Sequence, residues 1–206
     1  MRKDFLIVVI TSPGFWDGEA DCLEELLYAG VEKLHIRKQG DAKETLLKRL
    51  APDWSSRLVL HGGKEVMEMA MRYGVPQVHG HWRAPWEMTN TLTAGSAQPI
   101  GLSASVHSWD EVGQITPGRL EYVFLSPLFD SISKPGYMAG AGLLKRPKGV
   151  TPCKLIGLGG IGQHTIGQVI DHGWDGAAVL GYIWEKPELA VERFKTLKAI
   201  VEGHGG

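Results

Sequence analysis

Short apolar runs and amphipathic stretches alternate from one end of the chain to the other. The runs at residues 5–10, 31–36, 57–60, 75–79, 99–103, 120–125, 153–157 and 176–180 are brief and rich in aliphatic, β-branched or aromatic side chains, which marks them as buried strands. Between them the spacing turns helical. Leu23, Leu26 and Leu27 share one face of a helix over 17–29, which Gly30 stops. Residues 42–50 read as a second helix closed by Pro52, and 64–73 as a third with Val66, Met67, Ala70 and Met71 on its apolar face. Further helices are expected over 108–115, between Gly162 and Asp171, and from Pro187 to about Glu202. The helix of the segment around Trp82 and Trp86 is the least defined, and 138–148 has no convincing period.

Strand and helix thus alternate in units of roughly 25 residues, the pattern of βα repeats on a parallel sheet. Eight strand-like runs predict an α/β fold, a single compact (β/α)8 TIM barrel spanning residues 1–206 as one domain. A doubly wound open sheet is the structural alternative.

Composition narrows the function classes. The chain has 206 residues, 43% of them hydrophobic, enough for one sizeable core. With 22 basic and 23 acidic residues the net charge is −1, which leaves no electrostatic footprint for nucleic acid or an anionic membrane. Cys22 and Cys153 stand far apart without metal-ligand spacing, as expected for unpaired thiols in a reducing compartment. The opening MRKDFLIVVITS is too short in its apolar run for a leader peptide and reads as the first strand. No apolar span reaches membrane length, so the expectation is a soluble, cytoplasmic protein without a nucleic-acid or membrane partner. Whether it forms a homo-oligomer stays open.

The stretch YVFLSPLFDSISKPGY, residues 122–137, carries the clearest chemistry. An apolar strand switches abruptly to Ser126, Asp130, Ser131, Ser133 and Lys134. Hydroxyls donate to phosphate oxygens and Lys134 supplies a mobile positive charge; the competing reading is a polar surface loop. In a barrel, chemistry sits at the C-terminal ends of the strands. That rim contains Arg37, His61, His79, Ser103 and Ser105, then Gly159–Gly160 and Leu180–Gly181, where backbone amides before helices suit a phosphate. His61, His79 and His81 would make a zinc trio only if the fourth strand persisted to His81. The tryptophans read as packing and rim aromatics.

These residues resemble the thiamine phosphate synthase and thiazole tautomerase superfamily over nearly the whole chain. Residues 126–134, SPLFDSISK, are similar to the family's sixth-strand signature, a Gly-Pro-aliphatic-aromatic run followed by Pro-Thr-x-Thr-Lys. His35-Ile36-Arg37 stands for its Gln-aliphatic-Arg, Val78-His79 for its Val-His, and Ser105-Val106-His107-Ser108 for its Ser-x-His-Thr/Ser. Gly159-Gly160-Ile161 matches its Gly-Gly-Ile, and Gly173-Trp174-Asp175-Gly176 its Gly-Ala-Asp-Gly. The resemblance implies a reaction: a hydroxymethylpyrimidine diphosphate is coupled to a thiazole phosphate with loss of diphosphate. The diphosphate leaves first and the thiazole nitrogen captures the carbocation, with Mg²⁺ assistance and no organic cofactor. Arg37, Lys134 and Ser105 are the expected catalytic residues. His35, Gln39, His61, His79 and Ser103 are expected to contact substrate. Ser131 and Ser133 would grip the diphosphate with Arg37 and Lys134, and Gly159, Gly160, Leu180 and Gly181 would present amides to the thiazole phosphate.

Three departures from the pattern bear on the metal. The family's Lys two positions beyond the Arg is Gln39 here, its Asn-Asp after the third strand is His61-Gly62, and residues 80–84 carry no carboxylate. Mg²⁺ is expected from the family but its ligands are absent, with Asp130 the one substitute. The sister tautomerase lacks the metal carboxylates, but its catalytic His falls where this chain has Pro127. The leading expectation is a synthase-like diphosphorylase. A metal-independent thiazole-phosphate tautomerase, or a phosphate-ligand-binding regulatory protein on the same barrel, is the alternative.

Overall fold

The computed structural model describes residues 5–12, 14–63, 65–83, 100–130, 142–147, 149 and 151–204. Eight parallel strands close into a barrel in chain order, β1 (Leu6–Ile10), β2 (Lys33–Ile36), β3 (Leu58–His61), β4 (Gln77–His81), β5 (Gly101–Val106), β6 (Tyr122–Leu125), β7 (Lys154–Leu158) and β8 (Gly176–Val179), with β8 pairing back to β1. The helices are α1 (Glu19–Tyr28), α2 (Asp41–Trp54), α3 (Glu65–Arg72), α4 (Trp109–Gly113), α5 (Ile166–Asp171), α6 (Gly181–Trp184) and α7 (Ala190–Gly203). The expected (β/α)8 barrel is what the chain forms, and the open-sheet alternative falls away because the sheet closes.

The helical periodicity decides which faces are covered. Leu23, Leu26 and Leu27 of α1, Leu46, Leu47 and Leu50 of α2, and Phe194 and Leu197 of α7 are all sealed from solvent between helices and barrel. Each such side chain stabilises the fold by about 1.5–3 kcal/mol relative to exposure. Among the described residues, no helix is long and apolar enough to cross a membrane.

Some element boundaries differ from those expected. Pro52 does not close α2; the helix carries it and runs on to Trp54 before a 3-10 turn over Ser55–Arg57. Strand β5 continues past Ser103 to Val106, so Ser105 is a strand residue. Strand β4 starts two residues later than expected and persists to His81. The stop after β8 is followed at once by the short helix α6, ahead of the expected C-terminal helix.

The interior of the barrel has two unlike sides. Val8 and Ile10 of β1, Phe124 of β6, Ile156 of β7 and Ala178 of β8 form an apolar cluster that Tyr122 also joins. Strands β2 to β5 fill the other side with polar groups. Near the N-terminal ends, Lys33 Nζ donates to Gln77 Oε1 at 2.6 Å, and Gln77 in turn donates to Glu121. Nearer the C-terminal ends come three histidines and two serines. This polar half forms the floor of the site.

Candidate active site

A cavity of about 750 Å³ opens where the strands end. Arg37 after β2, His61 at the end of β3, His79 and His81 on β4 and Ser105 on β5 form its polar wall. Phe124, Phe129, Leu158 and Ile161 face them from the apolar half. Strand pleating puts alternate residues inside the barrel, and the register pairs His61 with His79, His79 with Ser103, and Ser103 with Tyr122.

The seventh loop approaches the cavity with bare backbone. Gly159 and Gly160 have φ of +98° and +64°, a left-handed conformation that glycine adopts without steric cost. A Cβ on Gly159 would lie 2.8 Å from Pro127 Cβ, and one on Gly160 would collide with the Asp130 carbonyl. Leu180 and Gly181 line the same cavity at the start of α6.

The floor is a connected set of rings. His35 Nδ1 and His61 Nε2 share a hydrogen bond of 2.7 Å, and His35 Nε2 and the Tyr122 hydroxyl share another of 2.7 Å. His79 uses both nitrogens on β5, Nδ1 with Ser103 Oγ at 3.0 Å and Nε2 with Ser105 Oγ at 2.9 Å. Ser103 Oγ also lies 3.3 Å from the Val78 carbonyl as a donor. The rings of His61 and His79 stack with centroids 4.3 Å apart. Burial holds all three imidazoles well below the ordinary histidine value, His79 down to about 3, and neighbouring positive charge, Arg37 for His61 and His79, pushes the same way. At neutral pH the floor is therefore uncharged. The cations stand around it: Arg37 on the rim, and Lys43, whose Nζ donates to the His61 carbonyl at 2.5 Å and whose pKa burial lowers.

The residues expected from sequence fall into three groups. Arg37, His61, His79, Ser105, Gly159, Gly160, Leu180 and Gly181 all line the cavity. His35 and Ser103 do not; both are fully buried beneath it and reach it through His61 and His79. Gln39 and Asp130 are exposed and outside the lining. Ser131, Ser133 and Lys134 lie outside the described residues, as does Trp86. His107, read only as a helix start, also faces the cavity, while Ser108 caps α4 by accepting from the Glu111 amide. Tyr122 and Lys43 were not expected in the site. An aromatic in a strand and a lysine in a helix carry no sign in sequence of the partner each finds.

Among the described residues no carboxylate lines the cavity. Its donors are imidazole nitrogens, hydroxyls and backbone groups, a set that does not fit Mg²⁺, which takes hard oxygen ligands and usually one or two carboxylates.

Residues 7–183 match the family model described as thiamine monophosphate synthase. A thiamine-phosphate synthase of Shouchella clausii (strain KSM-K16) is 23% identical over 189 residues, which cover 86% of this chain and 88% of that protein. Among solved structures, the thiamine phosphate pyrophosphorylase from Bacteroides thetaiotaomicron superposes with a TM-score of 0.69 at 24% identity, covering 96% of this chain and 98% of its own. That from Pyrococcus furiosus gives 0.71 at 18% identity, covering 100% and 99%. At these identities the two structures speak for the fold alone.

Proposed function

The chain belongs to the thiamine monophosphate synthase family, and we propose that it is a thiamine phosphate synthase-like transferase that couples hydroxymethylpyrimidine diphosphate to a thiazole phosphate. The C–O bond to the diphosphate breaks, diphosphate departs with the electron pair, and the thiazole nitrogen forms the new C–N bond. The observation that carries this reading is one cavity with Arg37 on one wall and the side-chain-free Gly159–Gly160 backbone on another. Arg37 offers a permanent positive charge, able to bond in bidentate fashion, to the departing diphosphate. Gly159 and Gly160 let the seventh loop pack directly on Pro127, Phe129 and Asp130, which sets their main chain, with that of Gly181, on the cavity wall where N–H groups would meet a phosphate. Phe124, Phe129 and Tyr182 supply aromatic faces for the two heterocycles. The resemblance in sequence adds Ser131, Ser133 and Lys134 to the diphosphate grip. Holding the partners in line and stabilising the leaving group is most of what such a reaction asks of a protein. A single domain over 1–206 working in the cytoplasm accords with this role.

A metal-independent thiazole-phosphate isomerase is the second reading. The neutral His61 and His79 rings lining the cavity favour it, because an uncharged imidazole can polarise and orient a bound thiazole without a metal ion. Turnover of pyrimidine diphosphate with thiazole phosphate, measured with Mg²⁺ and with EDTA, separates the two. Coupled product supports the transferase. No product under either condition, with the thiazole phosphate still bound and isomerised, replaces it by the second reading. Arg37→Ala should weaken binding of inorganic diphosphate by roughly tenfold or more, since a charged hydrogen bond is worth about 1.5–3 kcal/mol. Its thermal stability should hardly change, because the side chain is exposed at the rim. Unchanged affinity would remove Arg37 from the site.

A further inference from the structure

His35, His61 and His79 stand on three neighbouring strands, β2, β3 and β4, with their rings turned into the barrel. One ring nitrogen of each lies within 4.8 Å of the others. Strand β4 does persist to His81, yet it is His35 from the core that completes the trio with His61 and His79, and His81 points to the exposed rim. We propose that His35, His61 and His79 form a binding site for a zinc-type divalent ion, with a further coordination position open to the cavity. This inference stands independently of the transferase reading.

Four observations support the site. The outward nitrogens of two rings are already held, His35 Nε2 by the Tyr122 hydroxyl and His79 Nδ1 by Ser103 Oγ. Metal-ligating histidines are usually oriented in this way, with one nitrogen fixed by a polar neighbour; the other nitrogen of His79 bonds Ser105 Oγ at 2.9 Å and would turn from that hydroxyl to the ion. The three rings converge, with centroids 5.0 Å apart for His35 and His61 and 4.3 Å for His61 and His79. Imidazole selects zinc, copper, nickel or cobalt over magnesium. Three protein ligands and a vacant position toward a cavity describe a reactive rather than a purely structural zinc site.

Binding reorganises the trio modestly. The ion replaces the hydrogen bonds of His35 with His61 and of His79 Nε2 with Ser105 Oγ, and the His61 ring swings out of its stack on His79. His61 is the ring placed to move, being the one at a strand end and only partly buried. Arg37 and Lys43 add positive charge on this side. The open position is therefore suited to an anion, such as hydroxide or a phosphate oxygen.

The test is a Co²⁺ titration of the chelator-stripped full chain in phosphate-free buffer. One equivalent should give the visible d–d absorption of a four- or five-coordinate nitrogen site, which Zn²⁺ bleaches and excess Mg²⁺ does not. His61→Ala should abolish the band, and Tyr122→Phe should weaken binding by roughly 10- to 100-fold, as for loss of an outer-shell partner. His81→Ala and His107→Ala, which change cavity histidines outside the trio, should leave it intact. His35 lies in the core, so the rim residue His61 is the deciding variant, with circular dichroism to show that it folds. Absence of any band from the folded chain overturns the proposal. So does a band that survives His61→Ala or is lost with His81→Ala.

Discussion

Lys38 Nζ lies 2.6 Å from Glu19 Oε1, and both side chains are sealed from solvent. The same ammonium also donates to the Ser12 carbonyl at 2.8 Å and the Gly14 carbonyl at 2.5 Å. This pair ties the end of β2 to the loop after β1 and the first turn of α1, just behind Arg37. Lys38→Met should destabilise the protein by about 3–5 kcal/mol, the usual cost of stranding one member of a buried pair. The double change Lys38→Met, Glu19→Leu should recover most of that loss. Urea unfolding of the two variants checks this. A single-variant loss below about 1 kcal/mol would make the pair no different from a surface salt bridge.

Gly160→Ala tests the bare backbone of the seventh loop. The new Cβ would meet the Asp130 carbonyl and lie 2.6 Å from Phe129 Cβ, at a φ of +64° that other residues seldom adopt. A loss of roughly 1–3 kcal/mol is expected in thermal unfolding. Affinity for inorganic phosphate should drop with it. A variant as stable as the parent with unaltered phosphate binding would show that the close approach is dispensable.

Burial pushes the Cys22 and Cys153 thiols up to about 11, with Glu25 and Glu19 adding to the effect at Cys22 and Asp175 at Cys153. At about pH 8 the folded protein should react with iodoacetamide roughly a hundredfold more slowly than the urea-unfolded chain, from thiolate fraction alone. The sign of the linked stability follows. Only the unfolded chain loses these protons near pH 9, so stability should fall as pH rises from there toward 11. Equal alkylation rates in the two states would contradict the burial of both thiols.

Much of this architecture was legible in the chain because a barrel strand is buried on both faces and therefore reads as an unbroken apolar run. Residues 122–125 and 155–157 are of that kind. Where the interior turns polar the reading blurred. Ser105 looked like a residue beyond the fifth strand, yet it continues the strand, because its hydroxyl is satisfied by His79 across the sheet. Pro52 looked like a stop, but in the last turn of α2 few further backbone hydrogen bonds remain to be lost. The rim positions Arg37, His61, His79 and Gly159–Gly160 could be placed by counting strand ends. Lys38 could not. A lysine between Arg37 and Gln39 gives no hint that it turns inward until Glu19, on another element, is seen to meet it. Tyr122 is similar: its ring marks a strand, while the role of its hydroxyl depends on His35, 87 positions earlier.

The polar half of the barrel interior has an implication for descent. His61 leans on His35, His35 on Tyr122, His79 on Ser103 and Ser105, and Ser103 on the backbone of β4. Replacing any one of them alone strands a neighbour's donor or acceptor away from water, at about 1–3 kcal/mol each time. Drift through single substitutions is thus uphill from every side, whereas the aliphatic wall opposite can exchange one methyl-bearing residue for another with little loss. The two walls of the same barrel should consequently age at different speeds in related chains. His35 and His61, which bond one another, would change together if they change at all, and the chemistry above them with the pair.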